Sequence, residues 1–266
     1  MTFQSPEQPV LVGHLAPDLD CLAALWMLRR WGGYAGAPVA FLPAGSRHAS
    51  PLAVHVDTGG AEFDHHQLDA GLSSAELVRR AVRPDDWPLE QLVEAVTDDD
   101  QARAGEGAAL RARDLVHGLN AQYPDQPDEV LRLMEANFAA WYAAAARREE
   151  QRRAFADRIE FETPWGLGVA VESAAGVASR DAYSMGAVLF AYRDGHGWMG
   201  IAAQARSAVD LSAVYAELRR IDGGADWYLH PNRRLLLCGS PKAPPRTPSA
   251  LSLHDLIDVL CDAVPD

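Results

Sequence analysis

Short apolar runs that each end in a polar cluster set the architecture of this 266-residue chain. PVLV at 9–12 leads into Gly13-His14 and then into a segment from Cys21 to Trp31 whose apolar residues recur at helical spacing. Strand, loop and helix therefore follow one another. PVAFL at 38–42 and AVHV at 53–56 predict two further strands, and 74–82 predicts a helix opened by a serine cap with Glu76 in its first turn. Such alternation leads to parallel βαβ units in an α/β layer. A helix over 89–96 continues the pattern and is expected to stop before Thr97-Asp98-Asp99-Asp100.

The middle of the chain changes character. Residues 128–159 are rich in Ala, Arg, Glu and Leu and contain neither Gly nor Pro, which predicts one long helix or a helix pair. Its arginines are interrupted by Glu149 and Glu150, the pattern of a solvated helical face. Strands are expected at 166–173, 187–192 and 234–238, helices at 211–221 and 252–263, and a loop at 241–248, where four prolines fall together. The expected layout is an N-terminal parallel-sheet α/β domain over 1–125, a helical linker over 126–160 and a smaller C-terminal α/β domain over 161–266.

Nearly half of the residues are hydrophobic, enough for a sizeable core, yet no apolar run approaches the roughly 18 residues that span a bilayer. The start, MTFQSPEQP, lacks the basic and apolar regions of a signal peptide. Cys21, Cys238 and Cys261 are too few and too scattered for a disulfide framework or a structural zinc site. A soluble, cytoplasmic protein is expected, with no membrane partner; a homodimer stays an open assembly state. The formal charge of −13 argues against a surface that grips long nucleic acid, because such binding needs clustered Lys and Arg. Carboxylates gathered in a cleft, by contrast, are relieved by a divalent cation.

Five of the nine histidines lie between His14 and His66, an interval that also holds Asp18, Asp20, Asp57 and Asp64. Each cluster follows a predicted strand, and loops leaving the carboxyl ends of parallel strands converge on one edge, where ligands bind. Pro17 stiffens the first loop and favours an extended residue before it, so that His14, Asp18 and Asp20 project from a fixed turn. Imidazole and carboxylate together suit Mn²⁺ or Fe²⁺ better than Ca²⁺. Taken singly, Asp18 or Asp20 reads as a helix N-cap, His14 as an ordinary polar residue and Asp57, in HVDTGG, as part of a simple turn. On a loop the adjacent imidazoles of His65 and His66 can serve different ends, one binding metal and one facing substrate, with Asp64 orienting an imidazole. Asp98, Asp99 and Asp100 crowd three charges that solvent or a metal must offset, and Asp98 is the expected ligand.

In order, GHLAPDLD, HVDTGG, FDHHQ, the SSAELV helix and TDDD resemble the four motifs of the DHH phosphoesterase superfamily. That superfamily includes RecJ-type nucleases, oligoribonucleases, cyclic-dinucleotide phosphodiesterases and family II inorganic pyrophosphatases. The resemblance covers roughly the first hundred residues. It implies a DHH-type domain with two divalent cations, Mn²⁺ by preference: His14 and Asp18 on one, Asp20, His65 and Asp98 on the other, and Asp57 bridging both. His66 would face the substrate phosphate and Asp64 would support the site, with no side-chain nucleophile, since two metals activate water directly.

The second half matches less closely. Arg206-Ser207 with Asp210-Leu211 resembles the Arg-Ser element of the family's substrate domain, whereas its Gly-Gly-Gly-His motif is reduced to Gly223-Gly224, with His230 further on. Arg206 and His230 are the candidate substrate-binding residues, Arg206 because guanidinium engages phosphate in bidentate fashion. A surface ion pair for Arg206 and a structural role for His230 are the plain alternatives. Trp227-Tyr228 fits either base stacking or core packing. The expected function is hydrolysis of a small phosphorylated compound: a nucleotide, dinucleotide or very short oligonucleotide. The alternatives are an inorganic pyrophosphatase, for which the basic clamp is missing from the sequence, and a non-catalytic nucleotide- or metal-binding regulator on the same scaffold.

Overall fold

A computed structural model describes residues 8–68, 71–101, 111–174 and 179–264. It is a mixed α/β protein with a three-stranded parallel sheet and a six-stranded mixed sheet. The chain divides into two compact units, 1–146 and 147–266.

The first unit opens with β1 (Val10–His14), α1 (Leu19–Trp31), β2 (Val39–Leu42) and β3 (Ala53–His55), then α2 (Ser74–Val82), α3 (Trp87–Asp100) and α4 (Ala112–Gln122). The strands are ordered β2-β1-β3, and both pairings are parallel. Val10, Leu11 and Val12 are buried, as the unbroken apolar run of a central parallel strand requires. All ten residues from Leu19 to Leu28 of α1 are buried, and the helix packs on β1 and α2. Gly13 lets that packing close: a Cβ there would lie 2.9 Å from Cys21 Sγ.

The 30-residue helix α5 (Pro127–Ala156) stands where the linker was expected. Val130, Leu131, Met134 and Phe138 form one buried stripe in the first unit's core, so its first half is part of that unit. In the second half Glu149 receives hydrogen bonds from Arg152 and Arg153, in keeping with a self-paired charged face.

The second unit adds β4 (Ile159–Thr163), β5 (Gly166–Ser173), α6 (Ser179–Ser184), β6 (Leu189–Asp194), β7 (Met199–Ala203), α7 (Ser212–Ile221), β8 (Tyr228–Leu229), β9 (Leu235–Cys238) and α8 (Leu253–Cys261). The order is β4-β5-β6-β7-β9-β8; β5 and β6 are parallel and the other neighbours antiparallel. Leu211, Val214 and Leu218 near and on α7 and Leu256 and Leu260 of α8 fill the core with Leu189, Ile201 and Leu236 of the sheet.

Two boundaries differ from expectation in ways that matter. Ile159 belongs to β4, not to the preceding helix, because its alternating segment pairs with β5. The helix α3 does not stop at Val96 but runs through Asp100. Among the described residues no helix is long and apolar enough to cross a membrane. Leu25 is fully buried in the first core; Leu25→Ala should lower unfolding free energy by about 2–5 kcal/mol, read as a reduced urea midpoint followed by tryptophan fluorescence.

Candidate functional site

The carboxyl ends of β1 and β3 deliver the polar clusters to one place. His14 is the last residue of β1. Asp18 caps α1, its Oδ1 accepting the Cys21 amide at 3.0 Å. Asp20, in the first turn, is 1% exposed, and its two oxygens accept the Ser74 and Ala75 amides at 2.8 Å each. Those amides open α2, where backbone N–H groups lack helical partners, so one carboxylate ties the two helices together. Two residues past β3, Asp57 is buried with φ at 57°, and its amide donates to the Phe63 carbonyl at 2.9 Å. That bond holds the 61–66 loop, and with it Asp64-His65-His66, against the end of the sheet.

Asp57 lies at the centre. Its Oδ2 is 3.3 Å from His14 Nε2 and its Oδ1 is 3.3 Å from His65 Nε2. Ser74 Oγ donates to the same Oδ1 at 3.1 Å. On the His14 side, Asp18 Oδ1 is 3.9 Å from Nε2. On the His65 side, Asp20 Oδ2 and Asp100 Oδ2 stand 3.7 and 3.9 Å from Nε2. Two donor sets thus share one carboxylate. His14 Nδ1 donates to the Leu15 carbonyl at 3.0 Å, which turns Nε2 toward Asp57. Buried His65 Nε2 has no hydrogen-bond partner among the described residues.

His66 differs from its neighbour. Its ring is largely exposed, and Nδ1 is held at 2.8 Å by Asp64 Oδ1, while Asp64 Oδ2 accepts the Gly60 amide at 2.7 Å. The Asp64 hydrogen bond raises the His66 pKa. Burial lifts the Asp64 carboxyl, but the Gly60 amide and His66 outweigh it and hold the group below the usual carboxylate range. Deeper in, the balance reverses. Burial, then the Asp57 charge, pushes Asp20 up to about 8 and raises Asp18 as well. Burial also raises Asp100. The hydrogen bond to Asp57 lifts His14 to about 9. Burial first, and neighbouring carboxylates after it, favour the protonated acids here.

The structure corrects the choice among the three consecutive aspartates. Because α3 continues, they are spread around a helix at about 100° per residue. Asp100 joins Asp20 and His65. Asp98 instead lines a separate cavity with Glu76, Arg79 and Glu94, and Asp99 pairs with Arg113 at 2.7 Å. A second departure is Ala16, at φ 50°, where an extended residue was expected before Pro17. The histidine cluster also divides: His14, His65 and His66 meet Asp57, whereas buried His55 accepts the His48 amide at 3.0 Å and His48 accepts the Ser50 amide at 3.1 Å. Ser74, missed in the sequence, is signalled only by standing next to the Ser73 cap.

Arg206 and His230 belong to the second unit. Arg206 is exposed in the turn after β7 and forms no ion pair among the described residues. Arg234 ties that turn to the β8–β9 hairpin through the Ala205 and Ser207 carbonyls, at 2.8 and 2.9 Å. His230 opens the hairpin turn, its Nδ1 accepting the Asn232 amide at 3.2 Å. Trp227 is core, its indole N–H donating to Asp222 at 2.9 Å, while Tyr228 is exposed.

No protein-family model matches the chain, and no curated protein is similar to it. Among solved structures, an uncharacterized protein from Helicobacter pylori G27 aligns over 97% of this chain and all of its own, at 12% identity and a TM-score of 0.32. At that score the likeness carries no weight for fold or function.

Asp20 gives a pH dependence whose sign is fixed. Its folded pKa, about 8, lies above the unfolded value near 4, so the stability from its bound proton is full below about pH 4 and lost as pH rises through about 8. Chelator-treated protein should therefore show a urea midpoint that falls across this range, and Asp20→Asn should flatten the fall.

Proposed function

We propose that the chain is a DHH-type, metal-dependent phosphoesterase that hydrolyses a small phosphorylated substrate. The observation that carries this reading is the position of Asp57, whose two oxygens each face a different histidine, with further carboxylates beside each. The donor chemistry fits two divalent cations. An orphaned buried imidazole nitrogen faces three carboxylates, and a mixed nitrogen and oxygen set suits Mn²⁺. His14, Asp18 and Asp57 would hold one ion; Asp57, Asp20, His65 and Asp100 would hold the other. When bound, the ions would neutralise the phosphoryl group and lower the pKa of an attacking water.

The chain's own residues set the rest. Ser74 orients the Asp57 carboxylate, and the Ser74 and Ala75 amides fix Asp20. Asp64 holds the His66 ring and favours its charged form, which offers a charge-assisted N–H to a phosphate oxygen. Arg206 and His230 are the second unit's candidates for substrate contact, and the order of motifs in the sequence supports assigning the chain to the superfamily. A net charge of −13 favours a short substrate over a long polyanion.

Protein supplied with Mn²⁺ should release phosphate or mononucleotide from a panel of nucleotides, dinucleotides and short oligonucleotides. Asp57→Asn should reduce kcat/KM by at least about a hundredfold. Inertness of the metal-loaded protein across the panel, with ligand binding retained, would instead make it a regulator. Calorimetric Mn²⁺ titration separates the aspartates: Asp100→Asn should weaken binding at least about tenfold, with Asp98→Asn within about threefold of the parent.

A further inference from the structure

We propose that Arg47 binds a second phosphoryl group of the substrate, beyond the one that is cleaved; this deepens the phosphoesterase reading and rests on it. Asp57 and His66 open onto a cavity of about 480 Å³ whose walls also include Arg47, Thr58, Gly60 and Gln67. That volume lies within the range of about 300–1,000 Å³ typical of small-ligand sites. The cavity is next to the shared carboxylate, so a molecule presenting one phosphoryl group to Asp57 and its histidines must place its remainder nearby.

Arg47 is built into this wall. The 43–52 loop that carries it is tied down by the Gly45 amide on Thr58 Oγ1 at 2.8 Å and by the His48 amide on the buried His55 ring at 3.0 Å. Arg47 Nε donates to the Gly59 carbonyl at 2.8 Å and one terminal nitrogen to the Gly60 carbonyl at 3.4 Å. Gly59 and Gly60 both have positive φ, and a Cβ on Gly59 would come within 2.9 Å of the His55 ring. Glycine at both positions lets that backbone turn its carbonyls to the guanidinium without steric cost.

The charge balance indicates what Arg47 is for. In this acidic chain arginines such as Arg29, Arg79, Arg83 and Arg113 are paired with carboxylates. Arg47 pairs with none among the described residues; its partners are neutral carbonyls. The guanidinium is held at one edge and keeps its charge and its remaining N–H groups for a ligand. Asp57 and Asp64 on the same walls would repel an anion, and Arg47 is the only arginine or lysine among the described lining residues. It has no hydrogen bond or ion pair with His14, Asp18, Asp20, His65 or Asp100 among the described residues, and the group assigned to it is other than the one seated on that donor set. Phosphate is the group that a guanidinium fork matches best within a phosphoester substrate.

The test compares a dinucleotide carrying a 5′-phosphate with the same dinucleotide lacking it. With Mn²⁺, the parent should prefer the phosphorylated form by about tenfold in kcat/KM, carried by KM, the size of one charge-assisted interaction. Arg47→Ala should bring the ratio close to one, and Arg47→Lys should restore part of it. A ratio unchanged in Arg47→Ala, or the absence of any preference in the parent, overturns the proposal. Should the parent cleave neither compound, the phosphoesterase reading fails by itself, and Arg47 is decided by equilibrium binding of the two dinucleotides in Mn²⁺. A preference lost in Arg47→Ala supports the assignment, and equal binding by the parent overturns it.

Discussion

The buried Asp57 carboxylate is the constraint around which the first unit is arranged. An isolated charge at 3% exposure would cost several kcal/mol in desolvation. Three groups from different parts of the chain surround it: His14 from the end of β1, Ser74 from the start of α2, and His65 from the loop after β3. Each reaches Asp57 only if its own element is in place. The parallel register of β1 with β3 puts Val12 opposite His55 and so brings His14 and Asp57 to the same sheet edge. Packing of α1 on α2 then carries Asp20 to the amides of Ser74 and Ala75.

Local strain gathers at this edge. Asp57 and Ala16, at φ 57° and 50°, are two of three non-glycine residues in the described structure with left-handed backbone, in the loops that leave β3 and β1. Such conformations cost on the order of 1–3 kcal/mol each and last only where surrounding contacts determine them. For Asp57 the determining contact is the hydrogen bond its N–H donates to the Phe63 carbonyl, which also positions the loop carrying His65 and His66. The strained residue and the loop it anchors are therefore one device: the turn that aims the carboxylate also brings in the second imidazole.

Much of the fold could be read from the sequence because its signals were local. PVLV, PVAFL and AVHV became the three strands of the parallel sheet, and the Ser73 side chain caps α2 as the serine pattern implies. What the sequence hid was set by tertiary contacts. Three aspartates after an apolar stretch look like a helix end, yet Ser73 Oγ meets Thr97 Oγ1 at 2.7 Å and Arg113 takes Asp99, contacts that accompany the last turn of α3. Continuation of that turn is what replaces Asp98 by Asp100. The short strands β7 and β8 were equally obscure, since Gly200 interrupts one and the other is two residues long. His48 and His55, which the sequence left without a role, serve the loop that bears Arg47, a use visible only once the loop is folded.

Asp18 and Asp20 show that a carboxylate bonded to helix amides can still face a second partner. An ionised carboxylate offers about four lone-pair sites. Asp20 uses one on each oxygen for the α2 amides and still has Oδ2 directed at His65. Asp18 uses Oδ1 on the Cys21 amide and directs the same oxygen toward His14. Helix N-termini carry partial positive charge, which moderates the repulsion between these carboxylates without removing their capacity to accept a cation. The amide bonds also fix each carboxylate in orientation, so little freedom remains to be lost when a ligand is bound. A helix start thus fixes these carboxylates in place with lone pairs to spare, and in the sequence it pointed to the same atoms as the cluster of acids.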